Sequence, residues 1–376
     1  MEKLGLYIHI PFCKSKCFYC DFNSYSGKDY LQERYVDSLI AELKFREPII
    51  EKSGISTIYI GGGTPTYLNN IAFKKLFSYL KRYYRSGVEY SCEANPGTLN
   101  KEKLSILKEN GVNRLSIGLQ SWNDDILKRL GRIHNVYDFI ENYDSARKIG
   151  FDNINVDIMF SIQGQTMSDF ENTLDNVCNM NPEHISCYGL IIEDGTLFGE
   201  RYKNGELKEV DEDTDRAMYY TAVEKLRKAG YLRYEISNFA KSNYECKHNI
   251  IYWDTRHYLG IGAGAHSYIG DVRFSNVTAP EKYIRLIENY KLPVADEEHL
   301  TTDDMMSEFM FMGLRMTKGV QFSDFKNRFG LDMENVYGKQ IEKLQKYGLV
   351  KVNGNSLSLT DRGIDISNAV FVEFIR

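Results

Sequence analysis

Short apolar runs alternate with longer amphipathic stretches along the first two thirds of the chain. Residues 6–10, 57–60, 89–92, 114–118, 155–159 and 184–188 read as strands, being short, apolar-rich and bounded by turn residues. Residues 30–45, 71–84, 101–109, 136–149, 168–179 and 213–229 carry apolar positions at helical spacing. Six such units predict an α/β fold with a parallel sheet curled into an open barrel. In that architecture the loops after the strands' carboxyl ends gather at one mouth, so residues far apart in sequence converge there.

The alternation stops near Tyr231, and residues 231–269 hold R-Y-E-I-S-N-F-A-K, C-K-H-N-I-I-Y-W and Y-L-G-I-G-A-G-A-H. Beyond about residue 296 the pattern is helical over 302–317, 322–329 and 332–347. A hairpin over 349–352 and 356–359 turns at Asn353-Gly354-Asn355, and a helix starts at Asp361. Helices followed by a hairpin predict a small, mainly helical, winged-helix-like domain. The expected division is 1–230, 231–295 and 296–376.

Composition narrows the function classes. Of 376 residues, 43% are apolar and 26% charged, as in ordinary globular proteins. A formal charge of -5 supplies no broad basic field, so general nucleic-acid binding is not expected, and the acidic residues mixed into the C-terminal region favour a cap or partner surface there. Seven cysteines, three of them crowded near one end, suit a reducing compartment, and a cytoplasmic location is expected. Neither an export signal nor a membrane span is indicated.

The candidate chemistry starts in Tyr7-Ile8-His9-Ile10-Pro11-Phe12-Cys13, where Cys13, Cys17 and Cys20 form C-x3-C-x2-C. Three such thiolates can hold three irons of a [4Fe-4S] cluster and leave the fourth open to a small ligand. S-adenosylmethionine chelated there through its amine and carboxylate would be placed for cleavage to an adenosyl radical. Structural zinc, completed by His9 or a distant group, is the competing reading of the same spacing. Gly61-Gly62-Gly63-Thr64 follows the second strand, Glu93 the third and Gln120 the fourth, with Asp157 near the end of the fifth. A glycine run permits close backbone approach to a ligand, or forms a plain tight connection. Glu93 suits an amine or ribose hydroxyl, or is a solvated strand-end carboxylate.

C-x3-C-x2-C with an aromatic before its last cysteine resembles the radical SAM signature. Y-I-H-I-P-F-C in front of it is similar to the branch holding oxygen-independent coproporphyrinogen III dehydrogenases and the HemW heme chaperones. The resemblance implies a partial (β/α)6 barrel of the TIM type and makes G-G-G-T-P-T-Y-L a methionine-binding loop. It adds Gln120, Arg132 and Asp157 as polar contacts of S-adenosylmethionine, with Tyr7 and Tyr19 as aromatic ones or simple packing groups.

His248-Asn249-Ile250-Ile251-Tyr252-Trp253 resembles the H-N-x-x-Y-W motif linked to haem, and His248 is the candidate axial ligand, with Cys246, His257 and His266 as alternatives. Packing is the usual role of a histidine beside aromatics. Two functions compete: a chaperone that binds haem and delivers it to acceptors, respiratory haem proteins among them, and a dehydrogenase that decarboxylates coproporphyrinogen III. Dehydrogenases extend the cluster motif by a further cysteine, and here that position is Phe22. The substitution favours the chaperone, served by a reducing electron donor.

Overall fold

The computed structural model describes residues 3–376. Six parallel strands, β1 (Leu4–Ile10), β2 (Ile55–Gly62), β3 (Glu89–Ala94), β4 (Arg114–Gln120), β5 (Ile154–Phe160) and β6 (His184–Gly189), lie side by side in chain order. The helices between them include α1 (Gln32–Ser53), α2 (Asn70–Leu80), α3 (Lys101–Glu109), the short α4 (Asp124–Arg129), α5 (Val136–Ile149) and α6 (Met167–Met180). All six expected strands form, each one to four residues longer than its apolar run. Helix boundaries fall where side chains cap them: Asn135 with Asp138 closes a capping box on α5, and Thr166 with Asp169 does so on α6.

Strand side chains alternate between two environments. In β4, Leu115, Ile117 and Leu119 join the apolar core under the helices. Arg114, Ser116, Gly118 and Gln120 face a central lumen. The same holds in β1, where Leu4, Leu6, Ile8 and Ile10 face the core and Tyr7 the lumen. Parallel strands are usually apolar on both faces, so this strict alternation marks a barrel whose interior is kept polar.

Residues 231–295 do not stand apart from the barrel. After α7 (Leu197–Lys203) and α8 (Glu212–Lys228), β7 (Leu232–Arg233) and β8 (Asn238–Ala240) extend the sheet antiparallel beyond β6. Past α9 (Lys247–Trp253), β9 (Tyr258–Ile261) pairs parallel with β1 on the other edge. There β10 (His266–Ile269), β11 (Val272–Asn276) and, after α10 (Pro280–Glu288), β12 (Val294–His299) complete twelve strands.

The C-terminal region has its own core, built on Met310, Phe325, Tyr337, Leu357 and Phe374. It contains α11 (Thr302–Gly313), α12 (Phe322–Phe329) and α13 (Met333–Lys346), with β13 (Val320–Gln321), β14 (Val350–Asn353) and β15 (Ser356–Leu359) in a three-stranded sheet. The short α14 (Asp361–Asp365) and α15 (Ser367–Val372) end it. Arg273 binds Glu308 through two hydrogen bonds of 2.7 Å, fastening this unit to the barrel sheet.

Candidate functional site

The loop carrying the three cysteines leaves β1 at the mouth and is pinned along its length. Cys13 donates its backbone N–H to the Tyr25 carbonyl at 3.0 Å, and Tyr25 returns one to Pro11 at 2.8 Å. Phe18 donates to Leu130 at 3.1 Å and its own carbonyl accepts from Phe198 at 2.9 Å. These ties turn Cys13, Cys17 and Cys20 toward a lumen cavity of about 520 Å³. Every cluster and S-adenosylmethionine candidate named from the sequence, and His248, lines that cavity except Gly61, which backs Glu93 from behind; His9, Cys246, His257 and His266 do not line it.

The glycines are needed for space. A Cβ on Gly63 would lie 2.8 Å from the Phe12 carbonyl oxygen, and Gly62, at φ +110°, would drive one into the His9 ring. Thr64 follows with its hydroxyl 3.6 Å from the Cys13 sulfur. Glu93 accepts from the Tyr59 hydroxyl at 2.8 Å and from the Gly62 N–H at 3.1 Å. Burial pushes its carboxyl up to about 7 despite those bonds, and Asp157 adds to the rise.

Arg132 spans the mouth. Its Nη1 reaches the Cys17 sulfur and the Tyr19 hydroxyl, both at 3.5 Å, while Nη2 donates to Asn95 at 3.1 Å and to the Gly118 carbonyl at 2.8 Å. Burial opposes its charge, but Tyr19 and Cys17 beside it hold its pKa above the ordinary value. Gln120 sits at φ +74°, where a bulge ends β4, and accepts from Tyr188 at 3.2 Å. Asp157 accepts from Asn155 at 2.7 Å, and burial raises its pKa.

His9 is not free to complete a zinc site. Its Nε2–H donates to the Asn23 carbonyl at 2.8 Å, which leaves Nδ1 to accept from Tyr7 at 2.9 Å, and burial lowers its pKa to about 4. Among the described residues no three His, Cys, Asp or Glu side chains converge on a single ion.

His248 enters the same cavity from the opposite end. Glu89, the first residue of β3, accepts the backbone N–H groups of Lys247 and His248, each at 3.0 Å, and so seats α9 beneath the barrel. The His248 ring then bonds Thr57 through Nδ1 at 2.7 Å and Tyr252 through Nε2 at 2.9 Å. It stacks on Tyr59 at 5.1 Å, and burial, then the Arg114 charge, lower its pKa to about 3. The sequence made it a candidate haem ligand, yet neither nitrogen is open to iron in this arrangement. His257 is half-buried, while His266 is exposed on β10, outside the cavity.

Tyr59, Asn95, Arg114, Ser116, Asn155 and Tyr188 also line the lumen and were not singled out in the sequence. Their signal was present: each strand member sits at an inward position of an alternating run.

The chain's relatives settle its family. It is 40% identical to the heme chaperone HemW of Bacillus subtilis, over 98% of each chain. The chain belongs to the HemW family. The HemW of Lactococcus lactis is 36% identical over 98% of this chain and 96% of its own. Residues 7–177 match the radical SAM superfamily and residues 300–366 the HemN C-terminal domain. Coproporphyrinogen III oxidase (HemN) from Escherichia coli, a radical SAM enzyme, superposes with a TM-score of 0.87 at 24% identity, covering 100% of this chain and 90% of that one. That likeness fixes the fold alone, a radical SAM α/β fold with a HemN-type C-terminal domain.

The radical SAM family implies a [4Fe-4S] cluster and S-adenosylmethionine, and the cavity walls fit both. The three thiols are unpaired. Arg132 Nε is buried at the wall without a partner, as a group awaiting a polar ligand would be.

Proposed function

We propose that this HemW family member is a haem chaperone that binds haem and passes it to acceptor proteins, respiratory haem proteins among them. The observation that carries the reading is the 40% identity, end to end, with a protein named heme chaperone. Phe22, where dehydrogenases carry a further cysteine, supports it.

Cys13, Cys17 and Cys20 would hold the cluster, which when bound would supply an electron and an open coordination position for exchangeable S-adenosylmethionine. Gly62, Gly63 and Thr64 bring the backbone close to the methionine portion, and Gly61 leaves the space that the Glu93 carboxylate occupies. Glu93 accepts hydrogen bonds from its amine or a ribose hydroxyl. Gln120, Arg132 and Asp157 offer the further polar contacts, and Tyr7 and Tyr19 the aromatic ones. Residues 1–230 form the cluster and cofactor unit, 231–295 the segment carrying H-N-x-x-Y-W, and 296–376 the C-terminal cap. Seven unpaired thiols suit the cytoplasm, and no helix among the described residues is long and apolar enough to cross a membrane.

The test is an anaerobic comparison of two outputs from cluster-reconstituted protein with reductant and S-adenosylmethionine. Stoichiometric haem uptake and handover to an apo-acceptor, without protoporphyrinogen from coproporphyrinogen III, is the expected result. Robust protoporphyrinogen formation would instead assign oxygen-independent coproporphyrinogen III dehydrogenase activity.

A further inference from the structure

The largest cavity described, about 670 Å³, lies outside the lumen. It opens between the β5 and β6 end loops, α8 and the C-terminal helices. Its apolar lining is Leu190, Ile191 and Ile192 from the barrel side and Ile364 and Ile366 from the C-terminal side, with Tyr219, interleaved with charged and polar side chains. Ile191 is 69% exposed and Ile366 42%, although β-branched apolar residues at a slot's lip gain by being covered.

Charge at this slot is divided. Asp215 is held by the Ser161 hydroxyl, and Asp365 by the Tyr220 hydroxyl at 2.7 Å. Lys208 and Arg216, both exposed at the rim, make no ion pair among the described residues; Glu209 and Glu212 also stand on the rim. Among four carboxylates on the lining, Lys208 and Arg216 are the two cations the slot offers to a flat apolar ligand bearing two carboxylates.

Haem has that chemistry. The lumen is smaller and needed for S-adenosylmethionine, while two further cavities hold about 270 and 300 Å³. Tyr188 lines both the lumen and this slot. No histidine lines the slot; Cys187, Tyr188 and Tyr219 are the side chains there of types able to ligate iron.

Resting on the chaperone reading, we propose that this slot is the haem site, with Lys208 and Arg216 pairing the two propionates. The experiment titrates ferric haem, and separately its dimethyl ester, into cluster-reconstituted protein and follows the Soret band. Ile191→Asp, Lys208→Ala with Arg216→Ala, and Trp253→Ala are compared with wild type. At least tenfold weaker haem binding by the first two variants is expected, with iron, sulfide and S-adenosylmethionine content unchanged and Trp253→Ala unaffected. Wild type should prefer haem over the ester, and the Lys208/Arg216 variant should lose that preference. Unchanged binding in both slot variants, or loss on Trp253→Ala alone, overturns the site and leaves the chaperone reading standing. Wild type that takes up no haem overturns both. Should Ile191→Asp misfold, the ester comparison on wild type and the rim variant decides the matter.

Discussion

A Cβ placed on Gly61 would lie 2.8 Å from the carboxyl carbon of Glu93. The carboxylate occupies that space because Tyr59 and the Gly62 amide hold it there. Gly61→Ala therefore has to push Glu93 off both donors, leaving a buried carboxylate and two buried donors poorly matched. The expected cost is ~1–3 kcal/mol of stability. S-adenosylmethionine affinity should fall at least tenfold while iron and sulfide content stays near wild type. Denaturant melts and equilibrium dialysis with labelled S-adenosylmethionine check the two halves separately.

Glu93 also predicts a pH dependence. Its folded pKa, about 7, lies above the ordinary glutamate value of 4.5 that the unfolded chain has. Between those values the folded state binds more protons, so stability of the ligand-free protein rises as pH falls from 8 toward 5. Ligand affinity should run the other way, because the charged carboxylate is the better acceptor. Binding of S-adenosylmethionine is expected to weaken as pH drops from 8 to 6. Glu93→Gln should flatten both profiles and stabilise the ligand-free protein at pH 8 by ~1–3 kcal/mol. A wild-type affinity that is flat from pH 6 to 8 would remove Glu93 from the cofactor's contacts.

The barrel strands were legible because each run is short, apolar and closed by a loop. The cysteine spacing and the order of later motifs likewise carried the mouth of the site. Arg114 escaped notice for a physical reason: a charged residue opening an apolar run reads as a strand boundary, and only the polar lumen makes it an inward side chain. The edge strands β7 to β12 were missed because several are two to four residues long and take their conformation from pairing with β1 and β6. His248 was visible as a residue type, but its bonds to Thr57 and Tyr252 depend on α9 being seated by Glu89, about 160 positions away in sequence.

That seating argues a structural weight for His248. Removing the ring leaves Thr57 and Tyr252 each short of a buried partner and opens space against Tyr59. His248→Ala should lose ~2–4 kcal/mol of stability. If haem lodges in the proposed slot between α8 and the C-terminal helices, its Soret position should not move. A changed axial-ligand spectrum in a variant whose cluster and fold are intact would mean that the Tyr252 bond opens and His248 reaches iron after all.

Phe22 tests what separates the two functional classes. Its ring is 61% exposed at the lumen's edge, while its backbone carbonyl accepts from Lys16 Nζ at 3.0 Å and its backbone N–H bonds the Cys20 sulfur. Phe22→Cys therefore places a thiol two residues past Cys20 without disturbing a packed neighbour, and stability should stay within ~0.5 kcal/mol of wild type. If the missing thiol were all that keeps this barrel from dehydrogenating coproporphyrinogen III, the variant would form protoporphyrinogen in the anaerobic assay. The chaperone reading expects none, with iron and sulfide unchanged and haem handover intact. Product from the variant alone would show a dehydrogenase site lacking a single sulfur, and the exposed phenyl ring would then mark a lost activity.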